Sequence, residues 1–186
     1  LLEAAWREIG ELAELPQVRA IGETGMDFFR TETSGRAIQE ASFRFHIGLA
    51  KRPGKTLVVH DRDSHDDVLR ILDDEGHPDV VVLHCFSGDA DFARAASERG
   101  WYLSFSGVLT FKNAAELREA AAVVPEERLL VETDAPFLTP APFRGKPNAP
   151  YLVPLTVRGL AEVRDLDVAQ LCRTLYANST RAFGPL

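Results

Sequence analysis

Short apolar runs rich in β-branched residues recur along this chain, separated by stretches in which apolar positions return every three to four residues. The first pattern predicts buried strands and the second predicts amphipathic helices, and their alternation is the signature of parallel βα units. A helix is expected over residues 1–15, stopped by Pro16, and then a strand over 18–23 (VRAIGE). The next helix spans 36–51, with Ile38, Ala41, Phe45 and Leu49 on one face, and Pro53 and Gly54 end it. The run TLVVH (56–60) is the second strand, followed by a helix with Asp63 or Ser64 as N-cap and Asp66 and Asp67 at its positive end. The unit repeats as VVVLH (80–84) with a helix over 91–99, and as WYLSFSGVL (101–109) with a helix over 114–123. RLLVETD (128–134) is a fifth strand, after which a Pro-rich loop, APFLTPAPFRGKPNAP, leads into two closing helices.

Five strand–helix units fit either part of an eight-stranded barrel or an open doubly wound sheet. Candidate site residues separate the two. Glu23, His60, His84 and Asp134 each stand at or just past the end of an apolar run. A (β/α)8 barrel gathers its site from the C-terminal ends of several strands. An open sheet uses one switch point, and no G-x-G-x-x-G loop follows any strand here. The expectation is therefore α/β, a partial (β/α)8 TIM barrel, in a single domain.

Composition adjusts this picture in several places. With 186 residues, 45% of them hydrophobic, the chain can build one sizeable core but hardly two. No 18-residue apolar run is present and the N-terminal stretch is acidic, so a soluble, cytoplasmic protein without membrane contact is expected. Cys85 and Cys172 form no C-x-x-C spacing and are expected as small core residues. The net charge of −7 argues against a general basic footprint for nucleic acid, so any affinity for phosphate must be local. The chain begins at Leu1 and its single Met, Met26, lies inside a motif, which predicts a further N-terminal segment.

Two imidazoles and two carboxylates suit a divalent cation such as Zn²⁺, Mn²⁺ or Mg²⁺. Such an ion lowers the pKa of a water and polarises the oxygen of the bond under attack, and a carboxylate can take the water's proton. A lone His at a strand end is more often a hydrogen-bonded structural residue. Repetition at four strand ends shifts the balance. A strand-end Glu23 without a cation or an Arg partner would be costly to desolvate. Asp134 is favoured as a ligand, yet spacing leaves it nearly even with Glu132, one of the two serving to cap or orient the chain. Arg62, Arg144, Lys146 and Asn148 are candidate phosphate contacts, Lys146 being equally explained by solvation. His46, His65 and His77 end no strand and read as structural or exposed. Phe28 and Phe29 suit loop packing better than base stacking. Capping accounts for much of the acidic group Asp61, Asp63, Asp66 and Asp67.

The segments IGETGMDFFR, VVHDRD, VLHCFSG, YLSFSGVLTFKNA, LLVETDAPFLTP and FRGKPNAPYLV occur in the order seen in TatD-type metal-dependent deoxyribonucleases, which the chain resembles along essentially its whole length. The resemblance implies an amidohydrolase-like TIM barrel with two divalent metal ions that hydrolyses phosphodiester bonds in DNA, as a 3′–5′ exonuclease on single strands. It implies Glu23 as bridging carboxylate, His60 and His84 as ligands of one metal, and Asp134 as a ligand of the other that also handles the water's proton. The family opens with an H-x-H motif on its first strand, and this sequence has none. Roughly three strands are thus expected to be missing from it. Two other readings stand beside the nuclease: an aminoacyl-tRNA deacylase or similar ester or amide hydrolase, and an inactive truncated fragment.

Overall fold

A computed structural model describes residues 2–185 of the chain. Its elements are α1 (Leu2–Ala13), β1 (Ala20–Asp27), α2 (Thr33–Lys51), β2 (Thr56–Arg62), α3 (His65–Glu75), β3 (Val81–Leu83), α4 (Ala90–Glu98), β4 (Tyr102–Phe105), α5 (Ala115–Val123), β5 (Leu129–Val131), α6 (Val153–Arg164) and α7 (Val168–Phe183). The strands form one sheet in chain order, with β1 parallel to β2 and β4 parallel to β5. This is the α/β alternation that the apolar pattern predicts. By packing, the chain divides into two compact units, Leu1–Val82 with Ala182–Leu186, and Leu83–Arg181.

In the first unit, Leu57 and Val59 of β2, Phe43 and Ile47 of α2, and Val68 and Ile71 of α3 are fully buried. Trp6 of α1 stacks on Phe45 of α2 at 4.6 Å, which gives the first helix an aromatic anchor. Arg44 clips α2 to α3, reaching Glu75 at 2.7 Å and Asp74 at 3.2 Å while holding Glu40 at 2.7 Å within its own helix. β1 carries a bulge. Ile21 pairs with Leu57 and Thr24 with Val59, so Gly22 and Glu23 together oppose Val58. Gly22 has φ +152°, and a Cβ there would stand 2.6 Å from the Val58 carbonyl oxygen, so only glycine fits.

In the second unit all four residues of β4 are buried, as a parallel strand covered on both faces requires. Trp101, Leu103, Phe105 and Leu129 are at most 1% exposed. Arg164 of α6 donates to the carbonyls of Ala121, Ala122 and Val124 at 2.6–3.1 Å, satisfying the open C-terminal end of α5. Asn178 of α7, fully buried, donates to the carbonyls of Glu126 and Leu129.

Element boundaries depart from the sequence pattern where a side chain takes over from the ladder. β1 continues past residue 23 to Asp27, because the bulge absorbs one residue and pairing resumes at Thr24. The apolar run 101–109 splits, β4 ending at Phe105 and a 3-10 turn forming over Gly107–Thr110. β5 ends at Val131, and Asp134 adopts a left-handed φ of 56° that breaks the extended run. The cysteines are not core residues: Cys172 is exposed, and Cys85 is half-buried with its thiol donating to Ser106 Oγ at 3.4 Å.

Candidate metal centre

In the first unit the parallel ladder places Gly25 opposite His60. Glu23 and Asp27 lie two residues to either side of Gly25, and alternate residues of a strand share a face. Both carboxylates therefore reach the imidazole, Glu23 Oε1 lying 3.3 Å from Nδ1 and Asp27 Oδ2 lying 3.1 Å from Nε2. The two acids differ in setting, the Glu23 side chain being 54% exposed and that of Asp27 13%. Burial tends to raise the Asp27 pKa, but the Arg30 N–H at 2.7 Å, the His60 ring and the Arg62 charge outweigh it and hold the carboxyl below its ordinary value. Gln39 adds a bond from behind, accepting the Asp27 N–H through Oε1.

A neutral imidazole has one N–H, so it can donate to only one of its two acidic neighbours. When Asp27, half-buried and ionised, is the acceptor, the lone pair of Nδ1 faces the Glu23 carboxylate. Two such groups repel unless a proton or a cation stands between them. Donors about 2.0–2.2 Å from a common ion at 90–110° are separated by roughly 3.0–3.4 Å. The observed 3.3 Å fits that spacing, and one nitrogen with one oxygen is the donor set of Zn²⁺ or Mn²⁺.

In the second unit His84, Glu132 and Asp134 each offer a ligand atom within 4.8 Å of the others. Glu132 carries the framework: Oε1 accepts from His84 Nδ1 at 3.2 Å and Oε2 from the Cys85 N–H at 3.0 Å. Burial pushes its pKa up, and the bonds from His84, Ser104 and Cys85 more than offset this, holding the carboxyl below its ordinary value. With the Nδ1 proton on Glu132, the basic lone pair of His84 is on Nε2. Each candidate histidine is thus backed by a half-buried carboxylate, the arrangement that fixes the tautomer of a metal-binding imidazole. Asp134, half-buried, follows in the turn closed by the Phe137 N–H on its carbonyl at 2.8 Å.

Of the sequence-predicted residues, Glu23 meets His60 within the first unit, and His84 meets Asp134 within the second. Asp27 was not singled out by sequence reasoning, although the spacing E-x-G-x-D marks it. Glu132, the alternative to Asp134, proves to be the partner that orients His84. Arg62 lies 3.8 Å over the exposed ring of Phe29, Arg36 stacks on Phe28 at 3.7 Å, and Arg144 lies 4.3 Å over Phe111. Asn148 departs from the expected phosphate contact. It is 6% exposed, and its amide donates to the carbonyls of Thr133 at 2.7 Å and Phe137 at 2.6 Å, so it latches the Pro-rich loop. His46, His65 and His77 are bound to the Ser42 carbonyl, Asp61 and the Pro78 carbonyl in local structure. Ser64 holds the N-cap position of α3, yet its hydroxyl donates to Met26 O and Asp61 rather than capping. Among the described residues, no helix is long and apolar enough to cross a membrane.

Comparison with known proteins places this geometry. The family profile described as TatD related DNase matches residues 2–184. An uncharacterized metal-dependent hydrolase TatD of Mycobacterium tuberculosis is 47% identical over 188 residues, covering 99% of this chain and 71% of that protein. The metal-dependent hydrolase YabD of Bacillus subtilis is 41% identical, covering 97% of this chain and 70% of that protein. YcfH of Escherichia coli K12, of the same description, is 42% identical, covering 95% of this chain and 66% of that protein. Among solved structures, the TatD homolog YjjV of Escherichia coli K12 superposes with a TM-score of 0.93 at 26% identity, over 99% of this chain and 71% of that one. A TatD family hydrolase of Entamoeba histolytica shares the fold with a TM-score of 0.84 at 22% identity. On a profile match running nearly end to end and relatives above 40% identity, the chain belongs to the TatD related DNase family, whose named relatives are metal-dependent hydrolases.

Proposed function

We propose that this chain belongs to a divalent-metal-dependent deoxyribonuclease, a 3′–5′ exonuclease on single strands, built on a (β/α)8 barrel and working in the cytoplasm. The observation that carries the reading is the His60 ring held between Glu23 and Asp27, with a donor pair spaced for a cation on one side and an orienting carboxylate on the other. Glu23, His60, His84 and Asp134 are the proposed ligands of a centre taking two ions, Mg²⁺, Mn²⁺ or Zn²⁺. Bound there, the ions acidify a water and neutralise charge on the phosphodiester under attack.

The chain's own residues do the rest. Asp27 and Glu132 accept the distal N–H of His60 and His84 and so keep each ring in the tautomer that presents a lone pair. Asp134 takes the proton of the attacking water. Arg62 and Arg144, each fixed over an aromatic ring, offer forked N–H donors to phosphate oxygens. Asn148 contributes through the loop it holds rather than by touching substrate.

The test is cleavage of a 5′-labelled single-stranded oligonucleotide by the full chain with Mg²⁺, Mn²⁺ or Zn²⁺, with chelator and an aminoacyl-tRNA as controls. Metal-dependent shortening from the 3′ end, lost in His60→Ala and Asp134→Asn, is expected. Deacylation of the tRNA without cleavage of DNA would replace this reading.

A further inference from the structure

Aromatic rings exposed together on one rigid segment can mark a binding site, whereas rings exposed singly are ordinary. The segment that leaves Asp134 carries three such rings, Phe143 at 41% exposed among them. Phe137 is 67% exposed and Tyr151 is 79% exposed. The backbone between them is pinned. The Phe137 N–H returns to the Asp134 carbonyl, Asn148 donates its backbone N–H to Pro136 O at 3.0 Å and its amide to Phe137 O, and the Thr139 hydroxyl donates to Lys146 O. Leu138 sits at φ 54°, a left-handed conformation that a leucine keeps only where its surroundings impose it. The rings are therefore presented on a preorganised frame, which lowers the ordering cost of binding.

The charge around the rings selects the partner. From residue 135 to 161 the chain has no Asp or Glu and carries Arg144, Lys146 and Arg158, in a protein of net charge −7. Exposed aromatic rings on a segment that carries cations and no acids suit an unpaired, phosphate-linked strand of bases. Phe137 lies one turn from Asp134, a proposed ligand of the centre. We infer that Phe137, with Tyr151 beyond the Asn148 latch, is a base-stacking platform that seats an unpaired nucleotide beside the hydrolytic centre. This rests on the nuclease reading above and adds the residues that select single strands.

The test is fluorescence-anisotropy titration of the full chain with a labelled, cleavage-resistant phosphorothioate oligonucleotide. Companion titrations use the same strand with its terminal bases replaced by abasic residues, and a duplex. Phe137→Ala weakens binding of the single strand roughly 5- to 150-fold, the range of one lost base stack, and Tyr151→Ala weakens it less or equally. Phe137→Trp restores it. The abasic strand binds the parent and Phe137→Ala within twofold of each other, because there is no base left to stack. The inference is overturned if Phe137→Ala binds the intact strand like the parent, or if it weakens the abasic strand by the same factor. If the parent binds no oligonucleotide at all, the nuclease reading falls as well, and that outcome is distinct from the other two.

Discussion

Glu132 offers the sharpest separation between holding a fold together and preparing a metal ligand. Its two oxygens accept from His84 Nδ1 and the Cys85 N–H, with the Ser104 hydroxyl, whose proton can rotate to another acceptor, as a third donor, and the side chain is 21% exposed beside a histidine 12% exposed. Glu132→Ala removes both acceptors. An unsatisfied buried donor costs about 1–3 kcal/mol, and the remaining solvent access brings each toward the lower part of that range. The combined loss is therefore about 2–4 kcal/mol. For a chain of this size 1 kcal/mol moves Tm by about 2–4 °C, so metal-free thermal denaturation should show a fall of roughly 5–15 °C. Glu132→Gln keeps the volume and one carbonyl acceptor, and its stability loss is expected at only about 1 kcal/mol. Metal affinity behaves differently. A carboxamide no longer fixes the His84 tautomer as a carboxylate does, and losing such a partner typically weakens metal binding tenfold to a hundredfold. Calorimetric titration of Glu132→Gln with Mn²⁺ or Zn²⁺ reads that effect directly. If the Gln variant binds either ion within twofold of the parent while the Ala variant is destabilised, Glu132 is a structural brace and its assignment as the partner of a metal ligand is wrong.

Three further outcomes follow from the geometry. Gly22→Ala forces a Cβ to within 2.6 Å of the Val58 carbonyl at a φ that L-residues avoid, and should cost roughly 2–4 kcal/mol by urea denaturation; an unchanged midpoint would refute the bulge. Asn148→Ala strips the carbonyls of Thr133 and Phe137 of their donor, and should lower Tm by several degrees while speeding limited proteolysis between 134 and 150. Glu40 accepts from Arg44 and Arg70, which holds its pKa below the ordinary 4.5. A depressed carboxylate adds stability that is complete above pH 4.5 and is lost as pH falls through its lowered value. Denaturation midpoints of Glu40→Gln should therefore approach those of the parent as pH drops below about 4; a gap that widens there would contradict the assignment.

Much of this was legible because the site is carried by strand ends. His60 and His84 close apolar runs, and each lies beside a carboxylate, Glu23 for the one and Glu132 for the other. What was illegible has physical causes. Asp27 lies beyond the predicted end of β1, since a bulge inserts a residue that no period-two pattern can count. Glu132 and Asp134 are two apart and would share a face on a continuing strand. The left-handed turn at Asp134 separates their roles, and sequence spacing does not record it. Asn148 looks like a solvent-facing loop residue because the carbonyls that bury it lie 11 and 15 positions away. In the Pro-rich segment the charges are plain from residue type, whereas the exposure of its rings depends on the hydrogen bonds that pin the folded loop.

The pairing of Gly25 with His60, flanked by acids two residues to either side, makes the first half-site a matter of register as much as of side chains. Glu23→Asp or Asp27→Glu would move an oxygen by about one methylene, a graded change that a small ring movement could absorb. Sliding β1 by one residue against β2 would turn both carboxylates to the opposite face, and no rotamer change could bring them back. Substitutions at these acids should therefore yield enzymes of intermediate quality, whereas single-residue insertions or deletions between the bulge and Asp27 should abolish the half-site outright. The same strand pair that leaves its acids open to gradual tuning forbids any change in length.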